Sequence, residues 1–333
     1  MQARRPVEQA PRKVRIAVLG CAVLLWSCAH PLAPKGSSAE ELIREARLVA
    51  EREGGPIWPN FAADPFRTLL VRADGEQLYC FAGPAPRGFT EIGYDPVVAC
   101  PAAVRRPAQF PPNLLATFPL GDGIPTIVIG TPEATGKVPH EWVATLLHEH
   151  FHQLQYNCER YGERTLALDL HDGDQTGMWM LAYPFPYADK GVGEAVKALA
   201  DAAAQVLVAK DSTAGIALRN YADARGGLER ALSPRDLRYY DFQAWQEGTA
   251  RFVERSFASR WRGHPATPVS ERARLVEELR AVDLQRDRRT AFYPLGAAEA
   301  FMLQRFAPGW QKDYCQGSMS LWARLARATT GAE

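Results

Sequence analysis

Residues 138–157 read VPHEWVATLLHEHFHQLQYN. Pro139 suits a first helical turn, and Val143, Leu147, Phe151 and Leu154 recur at intervals of three and four, so the stretch predicts an amphipathic helix. Inside it stand His148, Glu149, His150, Phe151 and His152. At 3.6 residues per turn His148 and His152 share one face, one turn apart, where two imidazoles can hold a tetrahedral Zn2+ ion. Glu149 lies at the edge of that face, placed to take a proton from water as a general base. His150 points about 200° away from His148 and is expected to pack or hydrogen-bond instead.

Catalytic zinc takes a third protein ligand and leaves a fourth position to water. The metzincin arrangement requires glycine at 155 and histidine at 158, but the chain has Gln155 and Cys158. Two placements remain. LALDLHDGDQ (166–175) offers Asp169, His171 and Asp172, and FQAWQEGTARFVE (Phe242 to Glu254) offers Glu247. The pattern Glu247-Gly248-x-Ala250-x-x-x-Glu254, preceded by an aromatic, resembles the second zinc-binding helix of gluzincin metallopeptidases. That resemblance covers two helices and implies Glu247 as the third zinc ligand. Gly248 and Ala250 are expected to let this helix approach the histidine helix closely. Glu254 falls two turns beyond Glu247, where it either orients a ligand or sits as a solvated charge. In several gluzincins a tyrosine from a later helical region stabilises the oxyanion. Tyr293, in AFYPLGAAEAF (291–301), is the first candidate for that role, with Tyr239, Tyr240 and His171 competing.

At the N-terminus Arg4, Arg5, Arg12, Lys13 and Arg15 precede the apolar run IAVLGCAVLLW, the layout of a bacterial export signal. Residues 1–27 read as signal peptide, 28–37 as a tether and 38–333 as one domain. The run from Ile16 to Trp26 is about half the roughly 20 residues that a membrane-spanning helix needs. Leu25-Trp26-Ser27-Cys28 resembles a lipobox, which implies a lipid on Cys28 and a domain facing the periplasm; plain cleavage near Ala29 or Ala33 is the alternative. A membrane would then be met only through that anchor. Cys80, Cys100, Cys158 and Cys315 are left for up to two disulfides, Cys80 with Cys100 favoured by proximity. None of them forms the close pair that a four-cysteine zinc site requires. Lysine plus arginine number 39 against 38 acidic residues, so no basic excess points to nucleic acid.

Between these landmarks Ser38 and Glu41 make a capping box, and Asp74-Gly75 within TLLVRADGEQLYCF signals a hairpin. Residues 83–113 read as loop. The short strand Ile124 to Ile129 is expected either as an edge strand that binds an extended peptide or as a purely structural one. The aromatic segment 179–187 lines a cleft or packs on the core. Helices are expected near 190–209, 214–232, 240–258, 270–282 and 295–306. The expected fold class is α+β and zincin-like, with a strand-rich N-terminal part and a mainly helical catalytic part. The expected activity is that of a zinc metallopeptidase acting on a peptide or protein substrate. The competing readings are a zinc hydrolase of other amides or esters, and a non-enzymatic lipoprotein with a structural metal site or a partner-binding cleft.

Overall fold

Ser38 caps the first helix as its sequence requires: its hydroxyl accepts from the Glu41 amide while the Glu41 carboxylate accepts from the Ser38 amide. The computed structural model describes residues 37–261 and 269–330, all within one compact unit. The expected signal peptide, Cys28 and the expected tether up to residue 36 lie outside the described residues. Among the described residues no helix is long and apolar enough to cross a membrane.

After the helix Ala39–Glu53 the chain builds a six-stranded sheet in the order β3-β4-β2-β1-β6-β5. The strands are β1 (Thr68–Val71), β2 (Glu76–Tyr79), β3 (Thr90–Asp95), β4 (Cys100–Arg105), β5 (Leu115–Pro119) and β6 (Pro125–Gly130). Asp74-Gly75 does turn a hairpin, pairing Val71 with Glu76. Alternation along the inner strands sorts side chains to two faces. Leu70, Tyr79, Ile127 and Ile129 join the main core, whereas Leu69, Val71, Leu78 and Val128 form a second cluster with Phe81 and Ala103.

Two expectations about strands need correction. Residues 83–113 are not all loop: β3 and β4 form a hairpin there, with a register shift between Glu91 and Gly93. β3 offers only Ile92 and Tyr94 at alternate positions, both exposed, which is too short a signal to mark a strand. The strand at 124–129 is not an edge either. As β6 it lies between parallel β1 and antiparallel β5, and Ile127, Val128 and Ile129 are fully buried. β5 occupies that edge of the sheet.

Among the described residues every element after β6 is a helix, so the protein is mixed α/β with its strands in the N-terminal part. The histidine helix spans Pro139–Tyr156, and its apolar stripe (Val143, Leu147, Phe151) is buried in the main core. Helices Lys190–Val208, Asp211–Ala231 and Glu271–Arg280 follow close to expectation. The segment expected as one helix at 240–258 is three pieces: Pro234–Gln243, a π turn at Ala244–Gly248, and Thr249–Ala258. The helices Phe292–Phe306 and Leu321–Thr330 follow, with shorter helical turns between the long ones. Trp179, Tyr183, Phe185 and Tyr187 are buried, so the aromatic segment packs on the core.

Gly248 serves a different neighbour from the one expected. A Cβ on it would lie 2.4 Å from the Cα of Gly296, and one on Gly296 would lie 2.2 Å from the Ala244 carbonyl oxygen. The pair thus joins the π turn to the helix Phe292–Phe306, whose first turn carries Tyr293. Gly296→Ala is expected to push these backbones apart and lower stability by about 1–3 kcal/mol, read as a shifted denaturant midpoint. An unchanged midpoint would mean that the contact is not held in solution.

Candidate metal centre

His148 and His152 project from one face of the histidine helix, as four-residue spacing dictates, with their Nε2 atoms 3.2 Å apart. Oε2 of Glu247, carried by the π turn, lies 3.5 Å from the first and 3.4 Å from the second. Both imidazoles are buried and Glu247 is half-buried. These three donor atoms form a nearly equilateral triangle. Ligands about 2.0–2.1 Å from a central ion in a tetrahedron are roughly 3.3–3.4 Å from one another. Charge-assisted hydrogen bonds between imidazole and carboxylate would be shorter, about 2.7–2.9 Å. The spacing therefore suits donors that converge on a common ion, and the group can hold a metal.

The tautomers follow from the surrounding contacts. Gln155 Nε2 donates to the Gln246 carbonyl at 2.9 Å and to the Tyr314 hydroxyl at 2.7 Å. That turns the Gln155 Oε1 toward His152 Nδ1, 2.5 Å away. The Gln155 oxygen is far nearer than the Gln246 amide nitrogen, 3.3 Å from the same atom, and so favours a proton on His152 Nδ1, which leaves the Nε2 lone pair facing the centre. His148 Nδ1 likewise faces Glu254 Oε2 at 3.1 Å, and Arg251 Nη1 holds the other Glu254 oxygen at 2.8 Å. Glu254 is thus an orienting residue rather than a solvated charge. Burial opposes its ionisation, but Arg251 and His148 hold its carboxyl well below the usual range.

Burial also opposes charge on His148, yet Glu247 and Glu254 outweigh it and raise its pKa to about 9 in the metal-free protein. The sign has two consequences. Because the folded value exceeds the ordinary 6.5, this group stabilises the metal-free fold fully below pH about 6.5, and the contribution is lost as pH rises through 9. A divalent ion must also displace that proton. Calorimetric titration with zinc at pH 7.5, in buffers of differing ionisation enthalpy, is expected to show about one proton released per ion; none released would contradict it.

Glu149 sits beside this group, buried, with its Oε2 accepting from the Thr117 hydroxyl at 2.8 Å. Thr117 belongs to β5, so the sheet edge lies against the histidine helix at the glutamate. The Tyr293 ring stacks 6.4 Å from that of His148. Burial, and then the Glu247 charge, push its hydroxyl far above its ordinary pKa, so it stays protonated and able to donate. Tyr156 is a residue that sequence reading passed over. It lies four residues after His152, and its pKa is pushed up to about 12 by burial, Glu247 and Glu149.

The rival candidates stand elsewhere. Among the described residues the ligand group contains none of Asp169, His171 and Asp172. Asp172 instead pairs with Arg235, and His171 Nδ1 accepts from the Gly173 amide at 3.0 Å. Tyr239 and Tyr240 are fully buried; Tyr239 donates to the Met180 carbonyl, and Tyr240 lies under Arg225. His150 takes the structural part expected of it, with its nitrogens 2.7 Å from Gln153 Oε1 and 2.9 Å from the Phe61 carbonyl.

Two disulfides brace the arrangement. Cys80–Cys100 matches the pairing favoured by proximity, and Cys158–Cys315 joins the end of the histidine helix to the residue after Tyr314. No protein-family model, curated protein or solved structure matches the chain.

Proposed function

We propose that this chain is a zinc-dependent peptidase with a zincin-like catalytic unit, resembling gluzincins in its ligand set. The observation that carries the reading is the triangle of His148, His152 and Glu247 donor atoms, 3.2–3.5 Å on a side. Three protein donors, with an acid on the residue after the first, are what a hydrolytic centre requires; a structural site usually supplies four donors and needs no such acid. Zinc bound there would polarise a scissile carbonyl and acidify water. Glu149 takes the proton of the attacking water and passes it to the leaving amine. Tyr293 donates to the developing oxyanion. β5 offers its outer edge to an extended substrate, pairing backbone with backbone. A lipid on Cys28 would tether this unit to a membrane outside the cytoplasm.

The test is metal exchange. The isolated protein is expected to carry about one zinc per chain and to cleave a mixed peptide library. A chelator should abolish cleavage, added zinc should restore it, and His152→Ala should lose both metal and cleavage. Bound zinc without any peptide cleaved would redirect the reading to other amides, to esters or to a binding role. No metal after reconstitution would overturn it.

A further inference from the structure

The half of Glu247 that faces away from the imidazoles is engaged. Its Oε1 accepts from Arg289 Nη1 at 3.0 Å while Oε2 faces both histidines. The same Nη1 lies 3.3 Å from Gln243 Oε1, whose direction is set because Gln243 Nε2 donates to the Met180 carbonyl at 2.9 Å. Arg289 also lies 5.3 Å over the ring of Tyr293. It is delivered by a strained turn: Arg288, the preceding residue, has φ 50 and ψ −131, a conformation that costs a non-glycine residue of order 1–3 kcal/mol. The Arg288 guanidinium caps the ring of Tyr187 at 4.6 Å, which helps to hold the turn.

We propose that Arg289 is a positioning residue: by occupying Oε1 it makes Glu247 a one-oxygen ligand and so keeps a coordination place open for water or substrate. A carboxylate free on both oxygens can close on a metal with the pair, adding a fifth donor that crowds the place a hydrolytic centre keeps for water or substrate. A guanidinium at 3.0 Å competes for one of them with a directed, charge-assisted bond. The same side chain lies against Tyr293, so one residue sets both the number of donors and the tyrosine beside them. No sequence motif marks it. Arg289 lies 42 residues from Glu247 and meets it only through the fold.

This inference rests on the proposed metal site, and its test separates the two. The full chain is loaded with cobalt(II), and the visible spectrum and the affinity for acetohydroxamate, a ligand for an open coordination place, are compared across variants. Wild type is expected to show the intense bands of a four-coordinate ion. Arg289→Met, which keeps length but loses the donors, should show the weaker five-coordinate spectrum and bind acetohydroxamate about 10–100-fold less tightly. Arg289→Lys, which keeps a charged donor, should restore much of the wild-type spectrum, an outcome that simple loss of packing would not give. Should Arg289→Met fail to fold by circular dichroism, Gln243→Met, which frees Arg289 from one of its two acceptors, should move spectrum and affinity the same way by a smaller amount. Failure of wild type to bind cobalt overturns the metal site itself. Cobalt bound by wild type and a folded Arg289→Met with the same spectrum and affinity overturns only the role of Arg289.

Discussion

Glu149→Gln is expected to lower kcat/KM for peptide cleavage by about 10²–10⁴-fold while the protein still binds one zinc per chain. The substitution keeps size and keeps an oxygen for the Thr117 hydroxyl, which now donates to Oε2 at 2.8 Å, so the helix and sheet edge should stay in place. What it removes is a basic oxygen beside the metal ligands. His148, His152 and Glu247 are untouched, so metal content should not follow activity down. Parallel metal analysis and peptide kinetics decide the matter. Cleavage within tenfold of wild type would remove Glu149 from the chemistry, and loss of metal together with activity would assign it to holding the ion instead.

A second large effect is expected from breaking Cys158–Cys315. It closes a loop of 157 residues, and a cross-link of that span is worth on the order of 3–5 kcal/mol through restriction of the unfolded chain. The double replacement Cys158→Ser with Cys315→Ser should therefore shift the denaturant midpoint strongly. The bond also sits beside a chain of contacts that ends at the candidate metal centre. Tyr314 donates to the Trp245 carbonyl at 2.7 Å and accepts from Gln155, which in turn fixes the His152 tautomer. Loosening residue 315 should weaken zinc binding by about tenfold, as changes behind a ligand commonly do. The Cys80–Cys100 pair, closing 20 residues within the strand region, is the control. Its removal should destabilise without changing zinc affinity, and equal affinities in both double variants would break the proposed link.

Much of the centre could be read in the sequence because its parts are local. His148, Glu149 and His152 sit within five residues whose helical spacing alone sets their direction, and Glu247 with Glu254 repeats that logic on another helix. The surrounding shell could not be read this way. Arg289, Thr117 and Tyr314 reach the site from three places outside the histidine helix, and nothing in their neighbours marks them; Gln155 lies on that helix, three residues after His152, but its partners Gln246 and Tyr314 come from elsewhere in the chain. The strands divide similarly. The β1–β2 hairpin announces itself through Asp74-Gly75 between apolar runs, whereas β3 has only the exposed pair Ile92 and Tyr94 at alternate positions, too little to mark it. Gly248 was informative as a sign of close approach, but a glycine does not name the surface that comes near it; here that surface is Gly296.

The π turn at Ala244–Gly248 sets folding efficiency against fitness for a task. Such a turn spends an extra residue on poorer backbone bonding than a regular helix would give, and it is tolerated mainly where a side chain must be aimed. Deleting one residue within it would regularise the helix. If the residue lost were Gly248, which lies between the two glutamates, the deletion would also rotate Glu247 by roughly 100° against Glu254, taking the ligand away from the histidines while the orienting carboxylate stayed. A laboratory selection for heat resistance alone would favour that deletion, and a selection for metal retention would purge it. The irregularity thus predicts an evolutionary signature: lineages that gave up the ion would be free to straighten this helix, and lineages that kept it would not.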